Sequence, residues 1–256
     1  MVIVPGAQLP LQTLMLKQLG RTWPWVLSFQ QPAPDRALRS VAVWCAGANY
    51  SEAELDALRA LFRARDVTVT AIGEADATRE RFKELYCSDE FDGIWISAHG
   101  EFPAHNPHEA SLVLNHARDS LTLAELKALA IPRVGRRLLV LNVCDGATSA
   151  SLGGLPEIGL AAATCTPHQA VVSHLWPVDS LVASAFSVVL ACEAAKTPAY
   201  FAAFEATVQA LLQGSGAVLD RMTNCLEGSA SLLERFRNNE RDFLKIANWG
   251  SAAFFE

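Results

Sequence analysis

The sequence predicts an α/β fold: a largely parallel central sheet with helices on both faces. Three observations carry this. Short apolar runs of strand length recur at 41–44 (VAVW), 93–97 (GIWIS), 137–142 (RLLVLN) and 170–175 (AVVSHL), and continuous apolar runs of this kind suit strands buried on both sides. Segments with a helical period lie between them. The strand–helix alternation then requires crossovers that return the chain parallel to its previous strand.

Taken in order, the first 40 residues fit least well. Residues 2–5 could form a strand and 9–19 a helix, and the Pro-containing stretch 31–36 reads as a loop. This part is either a layer over one sheet edge or a connecting region, and a main domain follows over 41–256. After the strand at 41–44, Ser51 with Glu54 three residues later has the pattern of a capping box. It would open a helix with Leu55, Leu58, Leu61 and Phe62 on one side. A second strand is expected at 67–70. Thr78 then caps a helix that turns Phe82 and Leu85 inward. The strand at 93–97 follows, a short helix spans 121–129, and strands at 137–142 and 170–175 complete the sheet. Helices are expected over 180–194, 200–212 and 231–246, with a last edge strand at 252–255.

Composition narrows the function. Hydrophobic residues make up 51% and charged residues 19% of the 256 residues, as in a globular protein and unlike a disordered chain. The net charge is −6, with no basic run, which argues against nucleic acid as a partner. The opening residues have no basic region before their apolar stretch, and Pro5 and Pro10 interrupt it, so they do not read as a secretory signal. No apolar run approaches the ~18 residues that span a bilayer. A cytoplasmic address without a membrane is the expectation. The six cysteines (45, 87, 144, 165, 192 and 225) have scattered spacings, and most should be free thiols.

Two motifs follow directly on predicted strands. SAHGEF presents His99 and Gly100 after one, and LLVLNVCDG presents Cys144, Asp145 and Gly146 after another. In open parallel sheets, sites form beyond the carboxyl ends of the strands. Neighbouring strands would set imidazole beside thiol there. A thiol with a free pKa near ~8.5 is mostly protonated at neutral pH, and the imidazole can take its proton. The small Gly100 and Gly146 would let backbone amides approach a developing oxyanion. Singly, each motif is as well explained by a small buried cysteine and a surface histidine.

The segments SAHGEF, LLVLNVCDG and VVSHLWPVD, in that order, resemble the CHAT family of caspase-like cysteine peptidases. The opening VP-x-x-x-L pattern and the closing NWGSAAFF are similar to that family's ends, so the resemblance spans nearly the whole chain. It implies a caspase-like fold, with His99 as catalytic base and Cys144 as nucleophile, and with Gly100 and the Cys144 amide forming the oxyanion hole. His99 lies 45 residues upstream of Cys144 (144 minus 99), near the separation of about 50 seen for the caspase histidine. Related separases carry an acid after a similar Leu-Trp segment that helps hold a basic P1 side chain, and Asp179 matches it. An ordinary helix N-cap is an equal reading of Asp179. Metacaspases and clostripain-like relatives carry Asp two residues before the nucleophile, where this chain has Asn142. A basic P1 preference then rests on Asp179, with Asp145 as a second candidate. The family further implies a protein substrate, no cofactor, and an activating sensor or repeat-protein partner, in some members for bacterial defence.

Two rivals follow from the same residues. The fold could serve as a protein-interaction module that does not cut. Alternatively, His99, His105, His108 and His116 with Glu101 and Glu109 could hold a metal for a hydrolase. No HExxH is present, and the Pro-containing loop cannot hold a helical face, so no metal is expected. A GxSxG elbow is also absent. The glycines of 150–159 read as a flexible loop beside Cys144. Trp23 and Trp25 suit either burial or a partner-binding patch.

Overall fold

The computed structural model describes residues 10–26, 30–103, 109–144, 146–147, 150–152, 155–157, 159–226, 230–238 and 245–256. In chain order the elements are α1 (Leu11–Leu19), β1 (Ser40–Cys45), α2 (Ser51–Arg63), β2 (Thr68–Ile72), α3 (Arg79–Cys87), β3 (Gly93–Ser97) and β4 (His99–Glu101). Then come β5 (Ser111–Val113), β6 (Ser120–Thr122), α4 (Leu123–Ala128), β7 (Arg137–Asn142), β8 (Ala150–Leu152), β9 (Leu155–Glu157) and α5 (Leu160–Thr164). The chain continues through β10 (Gln169–His174), α6 (Ser180–Ala194), α7 (Tyr200–Leu212), α8 (Ser215–Cys225), α9 (Ala230–Asn238), α10 (Ile246–Trp249) and β11 (Ala252–Phe255). The strand expected over 2–5 lies outside the described residues.

The main sheet has the order β11-β10-β7-β3-β1-β2, and every pairing is parallel except β10 with β11. Period two along these strands divides the core. Val41, Val43, Trp95, Leu138, Val140 and Val172 face the layer of α2, α6, α7, α8 and α9. Ala42, Trp44, Ile94, Ile96, Leu139, Leu141 and Val171 face the layer of α3, α4 and α5. Helices therefore cover both faces, as the apolar strand runs predict. Thr78 caps α3, its hydroxyl accepting from the Arg81 amide at 3.2 Å.

Two expectations are corrected. The stretch between 99 and 122 is not only loop: β4, β5 and β6 form a separate antiparallel ribbon. The helix expected over 231–246 is α9 and α10, with 239–244 outside the described residues, and α8 precedes them. Gly214 and Gly216 disguise the start of α8, where Gly214 takes φ +95°, a conformation that suits glycine. Cys192 and Cys225, 33 residues apart, form a disulfide where α6 meets α8, while Cys45, Cys87, Cys144 and Cys165 are free.

The N-terminal segment lies along the β11 edge. The Gln12 side chain donates to the Phe254 carbonyl and accepts from its amide, both at 2.8 Å, so it substitutes for a neighbouring strand. Trp25 forms a bridge with Phe255, whereas Trp23 is 52% exposed. Arg136 holds Asp35 and Glu256 together at 2.5 and 2.8 Å.

Candidate active site

The strands β3 and β7 are neighbours, with Ser97 in register with Asn142. The two motifs therefore leave the sheet side by side. His99 opens β4 and is exposed, while Cys144 sits half-buried in the turn after β7. The backbones next to them pack closely: a Cβ on Gly100 would fall 2.2 Å from the Cys144 carbonyl oxygen. Only glycine lets the histidine strand approach the cysteine turn so nearly. Gly146 is packed as tightly, since a Cβ there would lie 2.3 Å from the Ser173 hydroxyl. Its carbonyl accepts from the Ala161 amide at 2.7 Å, and the Ala147 amide donates to the His174 carbonyl at 2.8 Å. These bonds fix the turn after Cys144 between α5 and β10.

Beneath this pair lies a polar network that the sequence does not announce. The last residues of the four central parallel strands are Cys45, Ser97, Asn142 and His174. By the alternation of their strands they face the same layer, and all are buried. Glu54, in the first turn of α2 and 1% exposed, closes over them. Its carboxylate accepts from Ser97 Oγ at 2.9 Å, Ser184 Oγ at 2.8 Å and Asn142 Nδ2 at 3.1 Å. The capping box expected from Ser51 and Glu54 is thus not formed. The Ser51 hydroxyl bonds back to Ala48, and Glu54 turns inward.

Asn142 uses both ends of its amide. Its Nδ2 also donates to the Ala183 carbonyl at 3.2 Å, and its Oδ1 accepts from His174 Nε2 at 2.9 Å. That orientation makes His174 Nε2 a donor and leaves Nδ1 to accept from Ser251 Oγ at 3.0 Å. Burial pushes the His174 pKa down to about 4 from 6.5. The unfolded chain therefore takes up a proton between those values that the native protein refuses. Stability is full above the unfolded value and falls as pH drops toward 4. From about pH 7.5 to about pH 5 the His174 contribution to this loss is roughly 2 kcal/mol. Urea unfolding of wild type and His174→Gln at both pH values should show the mutant free of that loss; equal acid sensitivity would refute the assignment.

Asp179 caps α6, its Oδ1 accepting from the Leu181 and Val182 amides at 3.0 and 3.3 Å. Asp145 lies outside the described residues, as do His105 and His108. His99 is on the ribbon, and His116 stands 3.9 Å from Glu74. Among the described residues, no three His, Cys, Asp or Glu side chains are grouped as metal ligands would be, and no helix is long and apolar enough to cross a membrane.

An open, mostly parallel sheet carrying a histidine and a cysteine at the ends of adjacent strands defines the class: a caspase-like α/β protein. The CHAT domain family model matches residues 8–254, and the chain belongs to that family of caspase-like cysteine peptidases. Among solved structures it is similar to the Arg-specific cysteine proteinase gingipain R, with a TM-score of 0.50 and 9% identity over 84% of this chain. The Saccharomyces cerevisiae separase–securin complex matches with a TM-score of 0.42 and 10% identity over 94% of this chain. The chain spans 45% of the gingipain chain and 13% of the separase chain. No curated protein matches.

Proposed function

We propose that this protein is a cysteine endopeptidase working through a Cys144–His99 dyad. The observation that carries the proposal is the packing of Gly100 against Cys144 at the ends of β3 and β7. In this mechanism His99 takes the Cys144 proton as the sulfur attacks the scissile carbonyl. The tetrahedral oxyanion is met by the Gly100 and Cys144 amides. Collapse expels the amine, to which His99 returns the proton, and leaves a thioester. Water, deprotonated by His99, then hydrolyses that ester and frees the thiol. The chemistry needs no cofactor.

The proposal includes a preference for a basic P1 residue. Asp179, Asp145 and Asn142 are its candidate substrate-binding residues. It also includes a regulated role in bacterial defence or signalling, with an activating sensor or repeat-protein partner, as family membership suggests. A cytoplasmic address belongs to the same proposal, and the Cys192–Cys225 bond is a feature that speaks against it.

Limited alkylation with iodoacetamide tests the reading, followed by mass spectrometry and cleavage of a pooled peptide library. Labelling of Cys144 should track the loss of cleavage, whereas labelling of exposed Cys87 should not. A Cys144 no more reactive than Cys87, with no peptide cut even with candidate partners present, would establish the protein-interaction reading instead.

A further inference from the structure

We propose that Glu54 is a positioning residue for the dyad: its carboxylate ties the strand that leads to His99 to the strand that leads to Cys144. This rests on the peptidase reading above and deepens it.

The place of the bridge gives the first argument. The parallel ladder between β3 and β7 ends at Ser97 and Asn142, and past that pair the two chains are no longer laddered to each other. The Glu54 carboxylate spans this last pair, Oε2 accepting from Ser97 Oγ and Oε1 from Asn142 Nδ2. His99 and Cys144 each follow two residues later, and the links between, Ala98 and Val143, are buried. A shift of either strand end is therefore handed on to the dyad.

Anchorage gives the second. Glu54 sits in the first turn of α2, and its Oε2 also accepts from Ser184 Oγ of α6. Asn142 is held from its other side as well. Its Nδ2 donates to the Ala183 carbonyl of α6, and its Oδ1 accepts from His174 Nε2. With both ends of its amide engaged, the Asn142 side chain keeps one orientation. Both strand ends are thus referred to the same two helices.

The energetics of burial give the third. Glu54 is buried, its three donors are neutral, and no ion pair reaches it among the described residues. A carboxylate so placed is costly, and a well-packed apolar side chain of similar volume often serves stability as well or better. What the carboxylate adds is direction. It accepts from several donors at once and so fixes how they stand to one another.

The test separates position from stability with two serines that donate to the same oxygen. Ser97→Ala cuts the bridge at the β3 end, whereas Ser184→Ala removes a matching bond to α6, which carries neither member of the dyad. Cleavage is measured on a peptide selected from the pooled library. Ser97→Ala and Glu54→Gln should lower kcat by about 10- to 100-fold with KM unchanged, the scale of a shift of up to about 1 Å between reacting groups. Ser184→Ala should keep the wild-type kcat. Iodoacetamide should label Cys144 slowly in Ser97→Ala and Glu54→Gln at about pH 7, where the base is needed. At about pH 10, above the ordinary thiol pKa of about 8.5, both should react at the wild-type rate. An unchanged kcat in Ser97→Ala, equal losses in the two serine variants, or a loss carried by KM overturns the assignment. So does slow labelling that persists at high pH. Should Glu54→Gln fail to fold, the serine pair decides, because each variant keeps two of the three donors. A wild type that cuts no peptide, with Cys144 no more reactive than Cys87, defeats the peptidase reading and this assignment with it.

Discussion

Cys144→Ala is expected to lower peptide cleavage by about 10⁴- to 10⁶-fold, the range for removing a member of a nucleophile–base unit, while leaving the fold intact. The side chain stands half-buried in a turn, and its loss opens no core cavity. His99→Ala should cost a similar factor for a different reason. The nucleophile remains, but nothing takes its proton or supplies one to the leaving amine. The two variants separate in alkylation. Cys144→Ala loses the label at this position altogether. His99→Ala keeps it but reacts more slowly near neutral pH, because no base stands by to take the thiol proton. Cleavage surviving in Cys144→Ala would place the nucleophile elsewhere. A double variant no slower than either single one would show that the pair acts as one device.

Trp44→Ala is expected to destabilise the protein by about 3–5 kcal/mol, the cost of emptying an aromatic core site. Trp44 on β1 is fully buried and meets Phe82 edge to face at 5.4 Å. Its indole also donates to the Leu114 carbonyl at 3.0 Å. Leu114 follows β5, and the Val113 before it pairs with His99 on β4. The loss is therefore felt in the core and in the ribbon that carries the proposed base. Trp44→Phe should recover most of the packing but leave that carbonyl without its donor, at about 1–3 kcal/mol. Urea midpoints of the three proteins measure both. Equal stability of wild type and Trp44→Phe would remove the indole bond from the account.

Much of this fold was legible because its strands are buried on both faces. Runs such as RLLVLN and AVVSHL have no other comfortable place, and both end within a residue of the expected position. The two chemical motifs were legible for the same reason, since strand ends determine where the following residues emerge. Glu54 was not. Ser51-x-x-Glu54 satisfies a local pattern, and only the tertiary arrangement of Ser97, Asn142 and Ser184 outcompetes it. The Cys192–Cys225 pair was hidden likewise, as no local spacing reveals which helices will meet. Asp179 shows the reverse case, where a local rule, the helix N-cap, alone accounts for the residue.

The separation of β4, β5 and β6 from the main sheet has a mechanical consequence. Cys144 follows a strand of the six-stranded sheet, whereas His99 stands on the separate three-stranded ribbon. That ribbon is seated on the core, with Leu112, Leu114 and Leu121 fully buried, the Trp44 indole on the Leu114 carbonyl and the Asn115 amide on the Ala77 carbonyl. Proton transfer tolerates little misalignment, and about 1 Å of drift can cost 10²-fold in rate. A change beneath the ribbon, as at Trp44, would thus reach the proposed base while the sheet that carries Cys144 stays whole.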